Sequence, residues 1–278
     1  MTQRIGTAAT IRRVAGIATA VLAATALSAG CGFISGTGST GTGSTPEASA
    51  SADPKAALLA AVPAEDGPGF RFTTVDGTDK IVGVVDPAAH AMELGLTQEN
   101  EDPKFTMKMT FRMIDDKSWM RVELKGIPGL HEMMKLPKRW MALDRTKLHD
   151  PTDAPVYEGT DPANAAAIIR TADTVEDKGD GTYTGFADLT RGQEVATAVD
   201  GVDIAALGEA AKKVPFTAVV GADGNLSSLT LDIPAGGKQK ATKLTVRYYD
   251  FGKAPKLSEP TGDEVQKAPT SAYELLND

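Results

Sequence analysis

The clearest pattern along the chain is the strict alternation in KFTMKMTFRM, residues 104–113. Polar residues stand between the apolar ones, and this period of two is typical of a β-strand with one buried face and one face in water. The apolar positions are Phe105, Met107, Met109, Phe111 and Met113. Strand cores usually prefer stiff Val and Ile, whereas methionine is flexible and adapts to irregular partners. The pattern therefore predicts a strand and leaves open what its methionines face.

Similar patterns, separated by turn residues, recur along most of the chain. They predict strands at residues 70–75, 79–85, 90–96, 104–114, 117–124, 140–143, 183–189, 216–220, 226–233 and 244–249. Short helices are predicted near residues 54–63, 161–172 and 203–213, while residues 126–137 break the alternation as a short helix or ordered loop. Strands that follow one another directly favour antiparallel pairing, and a sheet of about ten strands must curl. We expect an α+β fold: a strongly curved, mostly antiparallel half-barrel with short helices packed on its concave face.

Methionine is concentrated on the predicted inner face. Seven of the nine methionines lie between residues 107 and 141. Two interpretations remain open: an ordinary core that uses methionine, or an adaptable apolar cavity. The candidate cavity-lining residues are Phe105, Met107, Met109, Phe111, Met113, Met120, Val122, Leu124, Leu130, Met133, Met134, Met141, Phe216, Leu229, Leu231 and Ile233.

The first thirty residues have the pattern of a secretory signal. Three arginines precede VAGIATAVLAATALSAG, residues 14–30, which is apolar, uncharged and short for a membrane span. Cys31, the only cysteine, follows at once, and LSAGC resembles the lipobox of bacterial lipoproteins, although Ser28 stands where the pattern usually has an aliphatic residue. We expect cleavage before Cys31 and its acylation. The Arg12–Arg13 pair leaves the export route, general or twin-arginine, open.

The rest of the chain divides into a tether, a domain and a tail. Residues 31–53 contain mostly Gly, Ser, Thr and Ala, which have little surface to bury, and form a flexible tether. Residues 54–255 fit one domain, and residues 256–278 are expected to form a polar, loose C-terminal tail that could end in a helix. Without the three signal arginines the chain has 26 basic and 37 acidic residues, 26 − 37 = −11. This charge argues against nucleic-acid binding.

No catalytic or metal-binding constellation emerges from the sequence. HEMMK, residues 131–135, begins like the HExxH zinc motif but has Lys135 in place of the second histidine. The three histidines lie in separate segments, no serine sits in a GxSxG motif, and the single cysteine is assigned to acylation. We expect a protein that is not an enzyme and has neither a metal nor a cofactor.

Together, these segments resemble actinobacterial lipoproteins of the LppX/LprG type and, more distantly, LolA-type lipoprotein carriers. The resemblance rests on the lipobox cysteine, the tether, RWMALD at residues 139–144, TYTGFADLT at 182–190 and the strand pair at 214–234. It covers roughly residues 53–251, while the methionine-rich insert and the C-terminal tail have no counterpart in it. The resemblance implies a half-closed barrel whose cavity takes the acyl chains of lipids or lipoglycans.

The expected protein is an extracytoplasmic, membrane-anchored lipoprotein that binds lipid or lipoglycan for carriage or transfer across the cell envelope. Its partners would be that ligand, the membrane through the acyl anchor, and a membrane transporter. The alternative is a sensory or partner-binding envelope lipoprotein with the same fold, like the RseB-type regulators. An extracellular hydrolase is the least favoured class.

Replacing Cys31 with Ala should release the protein from the membrane, because the acyl chains and not the acidic domain provide the attachment. Cell fractionation followed by immunoblotting measures this. If the variant sediments with membranes as fully as the wild type does, Cys31 is not the anchor.

Overall fold

The computed structural model describes residues 53–77, 79–151 and 154–277. The predicted signal peptide, Cys31 and nearly all of the tether lie outside this part of the chain. The description begins at Asp53, whose carboxylate accepts a hydrogen bond from the Lys55 amide at 3.1 Å and so caps the first helix.

Within the described residues, twelve strands and six short α-helices are present. The strands are β1 (Phe70–Asp76), β2 (Asp79–Asp86), β3 (Ala91–Glu101), β4 (Lys104–Ile114), β5 (Lys117–Lys125), β6 (Trp140–Ala142), β7 (Val175–Gly179), β8 (Thr182–Ala187), β9 (Val214–Val220), β10 (Leu226–Ile233), β11 (Thr242–Tyr249) and β12 (Val265–Lys267). The helices are α1 (Pro54–Ala60), α2 (Leu130–Met133), α3 (Ala165–Thr171), α4 (Gln193–Ala198), α5 (Ile204–Leu207) and α6 (Thr270–Asn277).

All twelve strands belong to one sheet, in the order β12-β6-β5-β4-β3-β2-β1-β11-β10-β9-β8-β7. Two antiparallel meanders, β1 to β6 and β7 to β11, are joined by the antiparallel pair β1–β11. The pair β12–β6 is parallel. The predicted α+β class with a large, curved and mostly antiparallel sheet is confirmed.

Two strands and one helix were not predicted from the sequence pattern. β7 lies at one edge of the sheet and its residues are mostly exposed, so it carries no apolar alternation. β12 has only three residues. α4 includes Val195 and Ala198, which are buried, but its six residues are too few to show a helical period.

The C-terminal segment is packed into the fold, so the expectation of a loose polar tail at residues 256–278 is wrong. The amide of Leu257 donates to the buried carboxylate of Asp86 at 3.0 Å. The Arg112 guanidinium donates to the Ser258 carbonyl at 2.9 Å. These hydrogen bonds to backbone groups hold the segment against the sheet. They leave no apolar periodicity in the sequence by which the packing could have been predicted. We call residues 252–264 the C-terminal strap.

Beyond the strap, the chain adds β12 beside β6 and then forms α6. Ala272, Tyr273 and Leu276 of α6 are buried in the main hydrophobic cluster. The Tyr273 hydroxyl accepts a hydrogen bond from the Asp144 amide at 2.8 Å. The C-terminus therefore completes one edge of the sheet and part of the core.

The two faces of the sheet have different cores. We call the face that carries Phe72 and Met109 the inner face, because these side chains belong to the main cluster. On the outer face a smaller cluster includes Trp119 and Trp140. The guanidinium carbons of Arg112 and Arg121 lie 4.7 and 4.6 Å from the Trp140 ring centre, a cation–π arrangement.

Two inner-face phenylalanine rings lie over glycines of a neighbouring strand. Phe72 is paired with Gly83, and a Cβ atom built on Gly83 would stand 2.3 Å from the Phe72 ring. Phe216 is paired with Gly185 in the same way, at 2.6 Å. The rings fill the space that a side chain would need, which fixes the register of both strand pairs.

Gly83→Ala should therefore destabilise the fold by about 1–3 kcal/mol, because the added methyl group collides with Phe72 and with the Glu93 carbonyl. Gly95→Ala is the matched control, since its Cβ would meet nothing closer than 3.7 Å. It should be neutral or stabilise by up to about 1 kcal/mol. Urea denaturation of both variants measures the free energy of unfolding. Equal losses of stability would show that the contact with Phe72 is not the reason why position 83 requires glycine.

Candidate functional site

The candidate site is the methionine-rich half of the inner face, formed by β3, β4, β5 and β6. Cross-strand pairing places Met113 beside Met92, and Met120 between Phe111 and Met141. Such direct neighbours touch across a sheet. The alternation in β4 thus builds a continuous patch of thioether and aromatic side chains.

One cross-strand row links this patch to the other half of the sheet. The row crosses seven strands and consists of Leu229, Val246, Thr74, Ile81, Leu96, Met109 and Val122. The candidate residues of β9 and β10 therefore lie on the same face as the methionines of β4 and β5. Alternation along single strands could not show this, because it depends on the β1–β11 register.

Most of the predicted lining residues lie together in the main cluster. Those buried in it are Met107, Met109, Phe111, Met113, Met120, Val122, Met141, Phe216, Leu229, Leu231 and Ile233. Phe105, Leu124 and Met134 are partly buried against the same cluster.

The structure does not bring Leu130 and Met133 into this cluster. Leu130 is buried but belongs to neither apolar cluster. Met133 is 72% exposed. Both lie on the single turn α2, and Met133 is exposed although residues three apart share one side of a helix, so listing Met133 among the lining residues was wrong.

The helices contribute side chains to the same cluster. Leu58 of α1, Ile168 and Ile169 of α3, Val195 of α4 and Leu207 of α5 are all buried in it. Residues of α6 belong to the same cluster, so the main core contains side chains from both the sheet and the helices.

A polar contact ties α3 to the inner face of β11. The Asp161 carboxylate accepts hydrogen bonds from the amides of Ala165 and Ala166, at 2.9 and 2.8 Å, and from the Tyr248 hydroxyl at 3.0 Å. Desolvation by burial raises the pKa of Asp161, and it also raises the pKa of Tyr248. The Tyr248 hydroxyl thus remains a neutral donor that holds the start of α3 over the sheet.

Thr74 is the polar exception in the central row. It is 9% exposed, and its hydroxyl oxygen is buried without a hydrogen-bond partner. It lies between Val246 and Ile81 on the apolar face. The alternation of FRFTTVD, which puts Phe70, Phe72 and Thr74 on one face, could have identified it. An unpaired buried hydroxyl is costly and can serve as a contact for a polar group of a ligand.

Both ring nitrogens of His131, in the HEMMK segment, contact backbone groups. Its Nε2 accepts a hydrogen bond from the Leu124 amide at 3.2 Å, and Nδ1 lies 3.1 Å from the Leu136 carbonyl, to which it donates in this tautomer. The imidazole therefore links α2 to the end of β5. Among the described residues, no three His, Cys, Asp or Glu side chains are grouped so as to hold a metal ion.

Across the part of the chain that the structure describes, none of the helices is both long enough and apolar enough to cross a bilayer. Comparison with protein-family models finds no match, and a search of curated proteins finds no similar sequence.

Thr74→Val should leave the free energy of unfolding unchanged or raise it by about 1 kcal/mol, because it removes an unpaired polar atom and keeps the shape. Thr171→Val is the matched control. Its hydroxyl donates to the Ile168 carbonyl at 2.7 Å and accepts from the Asp188 amide at 3.0 Å. Losing both bonds should cost about 1–3 kcal/mol. Urea denaturation compares the two, and a large loss at Thr74 would mean that its hydroxyl is paired in solution.

Proposed function

We propose that this protein is a membrane-anchored lipoprotein that binds the acyl chains of a lipid or lipoglycan on its methionine-rich inner face. It carries or transfers this ligand across the cell envelope, on the extracytoplasmic side of the membrane. The observation that carries the proposal is the continuous apolar face, which crosses the sheet from Val122 to Leu229 and is rich in methionine where β3 to β6 meet.

The shared cluster of strand and helix side chains supports this proposal. In the proposed arrangement the curved sheet is a half-barrel, and α1, α3, α4, α5 and α6 cover its concave side. Acyl chains enter between the helices and the methionine-rich strands. Thr74 then meets the polar end of the chain or an ester group, since its buried hydroxyl has no hydrogen-bond partner among the described residues.

Binding requires that the buried side chains move apart, because Met109, Phe111 and Met120 are fully buried. Methionine suits this task, since it has three rotatable bonds and no branched carbon. Each CH₂ group of a ligand that leaves water contributes about 0.8 kcal/mol, so six of them contribute about 5 kcal/mol. That exceeds the cost of repacking a few side chains, about 1–3 kcal/mol.

The N-terminal sequence supports the envelope location. Cys31 follows a signal-like segment, and the tether between Cys31 and α1 contains few residues that can pack. A chain of about twenty such residues has a root-mean-square length of roughly 25 Å. The domain thus remains close to the membrane while it exchanges its ligand, and the resemblance to LppX/LprG-type lipoproteins points the same way.

A double variant, Met109→Ile with Met120→Ile, tests the proposal. Isoleucine keeps the volume but is stiff at χ1, so the fold should change in stability by less than about 1.5 kcal/mol. Lipid affinity should fall about fivefold, a loss of about 1 kcal/mol, because the face no longer repacks. The measurement is mass spectrometry of non-covalently bound lipid extracted from the purified full chain, together with a fatty-acid titration.

Met133→Ile is the matched control, because Met133 is 72% exposed and should leave both binding and stability unchanged. Wild-type protein that carries no lipid and takes up no fatty acid would contradict the proposal. In that case a co-purifying membrane protein would favour the sensory or partner-binding alternative.

A further inference from the structure

The outer face carries a second feature, independent of the apolar inner face. A half-open depression of about 620 Å³ lies over the strands at the junction of the two meanders. Its lining residues are Thr73, Val75, Lys80, Ser227, Thr245, Arg247, Tyr248 and Tyr249. Most of these are polar, unlike the residues of the opposite face.

The strand register brings these residues into two adjacent rows. Val75 of β1 is paired with Lys80 of β2 on one side and with Thr245 of β11 on the other. Thr73 is paired with Arg247. Lys80 and Arg247 thus lie on strands separated by β1, about 10 Å across the sheet, and are offset by about 7 Å along it. Their long side chains can reach the same small ligand.

The two cations of the depression have no partner among the residues that the structure describes. Within the described residues, neither Lys80 nor Arg247 has an ion pair or a side-chain hydrogen bond, and no carboxylate lines the depression. Two other basic residues, on β1 and β11, are paired: Arg71 with Asp250 at 3.5 Å, and Lys243 with Asp232. In a chain with a net charge of −8, two unpaired cations at one depression favour an anionic ligand.

An irregularity in β10 shapes this part of the outer face. The pairing of β10 with β9 shifts between Leu226 and Ser228, so Ser227 is an extra residue in the strand. Its hydroxyl donates to the Val219 carbonyl at 2.9 Å. Such bulges bend a strand and increase its twist, and they redirect side chains beside binding sites.

The remaining lining groups suit a ligand with hydroxyl groups. The Thr73 and Tyr249 hydroxyls lie 3.4 Å apart and can each donate and accept. Tyr249 is 42% exposed and offers an aromatic surface to the C–H groups of a ring. Arg247 and Lys80 supply donors that bind phosphate oxygens strongly.

We propose that this depression is a binding site for a sugar phosphate. The phosphate lies between Lys80 and Arg247, and the sugar hydroxyls bond to Thr73, Thr245 and Tyr249. This site lies on the opposite face from the acyl-binding face of the proposed function and does not depend on it.

Isothermal titration calorimetry of the full chain at low salt tests the site, with glucose 6-phosphate, inorganic phosphate and glucose as separate probes. Glucose 6-phosphate should bind more tightly than either of the others. Lys80→Ala and Arg247→Ala should each weaken it about tenfold, since each removes a charge-assisted contact. Thr245→Val should reduce the preference for glucose 6-phosphate over inorganic phosphate.

Lys267→Ala is the matched control, because Lys267 is exposed on β12, at the edge of the sheet and five strands from β2. It should leave the affinity unchanged. Absence of saturable binding of glucose 6-phosphate would overturn the proposal, as would binding that Lys80→Ala and Arg247→Ala leave intact. Equal affinity for glucose 6-phosphate and inorganic phosphate would also contradict it, since the site would then not recognise the sugar.

Discussion

The pairing of β1 with β11 is the contact on which the rest of the structure depends. Six residue pairs, from Arg71–Tyr249 to Asp76–Leu244, join segments that lie far apart in the sequence. Without this pair the two meanders would be separate sheets, each with an open edge and a narrower apolar face. With it, the inner face is continuous from the methionines of β4 and β5 to the leucines of β10. Because the pair closes a long loop of chain, it forms at a substantial entropic cost that local hairpins do not have.

The same pair determines how the outer face is divided. Toward β6, the C-terminal strap covers the outer face, and Leu257 packs with Trp119 and Trp140. Over β1 and β11 the outer face instead holds the depression with Lys80 and Arg247. Two regions of the outer face thus differ: the one near β6 is covered by the chain itself, and the one in the middle of the sheet carries two cations without a partner among the described residues.

The features that could be predicted from the sequence are those that depend on one strand at a time. The period of two located ten of the twelve strands and placed Met109 and its neighbours on one face, because alternation reflects burial on one side. It could not find β7, which is polar on an exposed edge, or the strap, which Asp86 and Arg112 hold through backbone groups. Cross-strand relations were also hidden, since Thr74, Lys80 and Arg247 gain their neighbours only from the register of β1. Met133 was misplaced because a four-residue helix shows too little periodicity to orient its residues.

The inner face contains both close phenylalanine–glycine contacts and flexible methionine side chains. Phe72 over Gly83 and Phe216 over Gly185 fix strand register through close contacts that leave no room for change. The methionines beside them are different: ordering a buried methionine costs about 1.5–2 kcal/mol of side-chain entropy, compared with about 0.5–1 kcal/mol for isoleucine. A face shaped for stability alone would use the stiffer residue, which also packs better on a pleated surface. The higher entropy cost of methionine is offset by an advantage if the side chains must adopt more than one arrangement. Under the proposed function, a ligand that enters and leaves the apolar face would impose this requirement, whereas a permanently closed core would not.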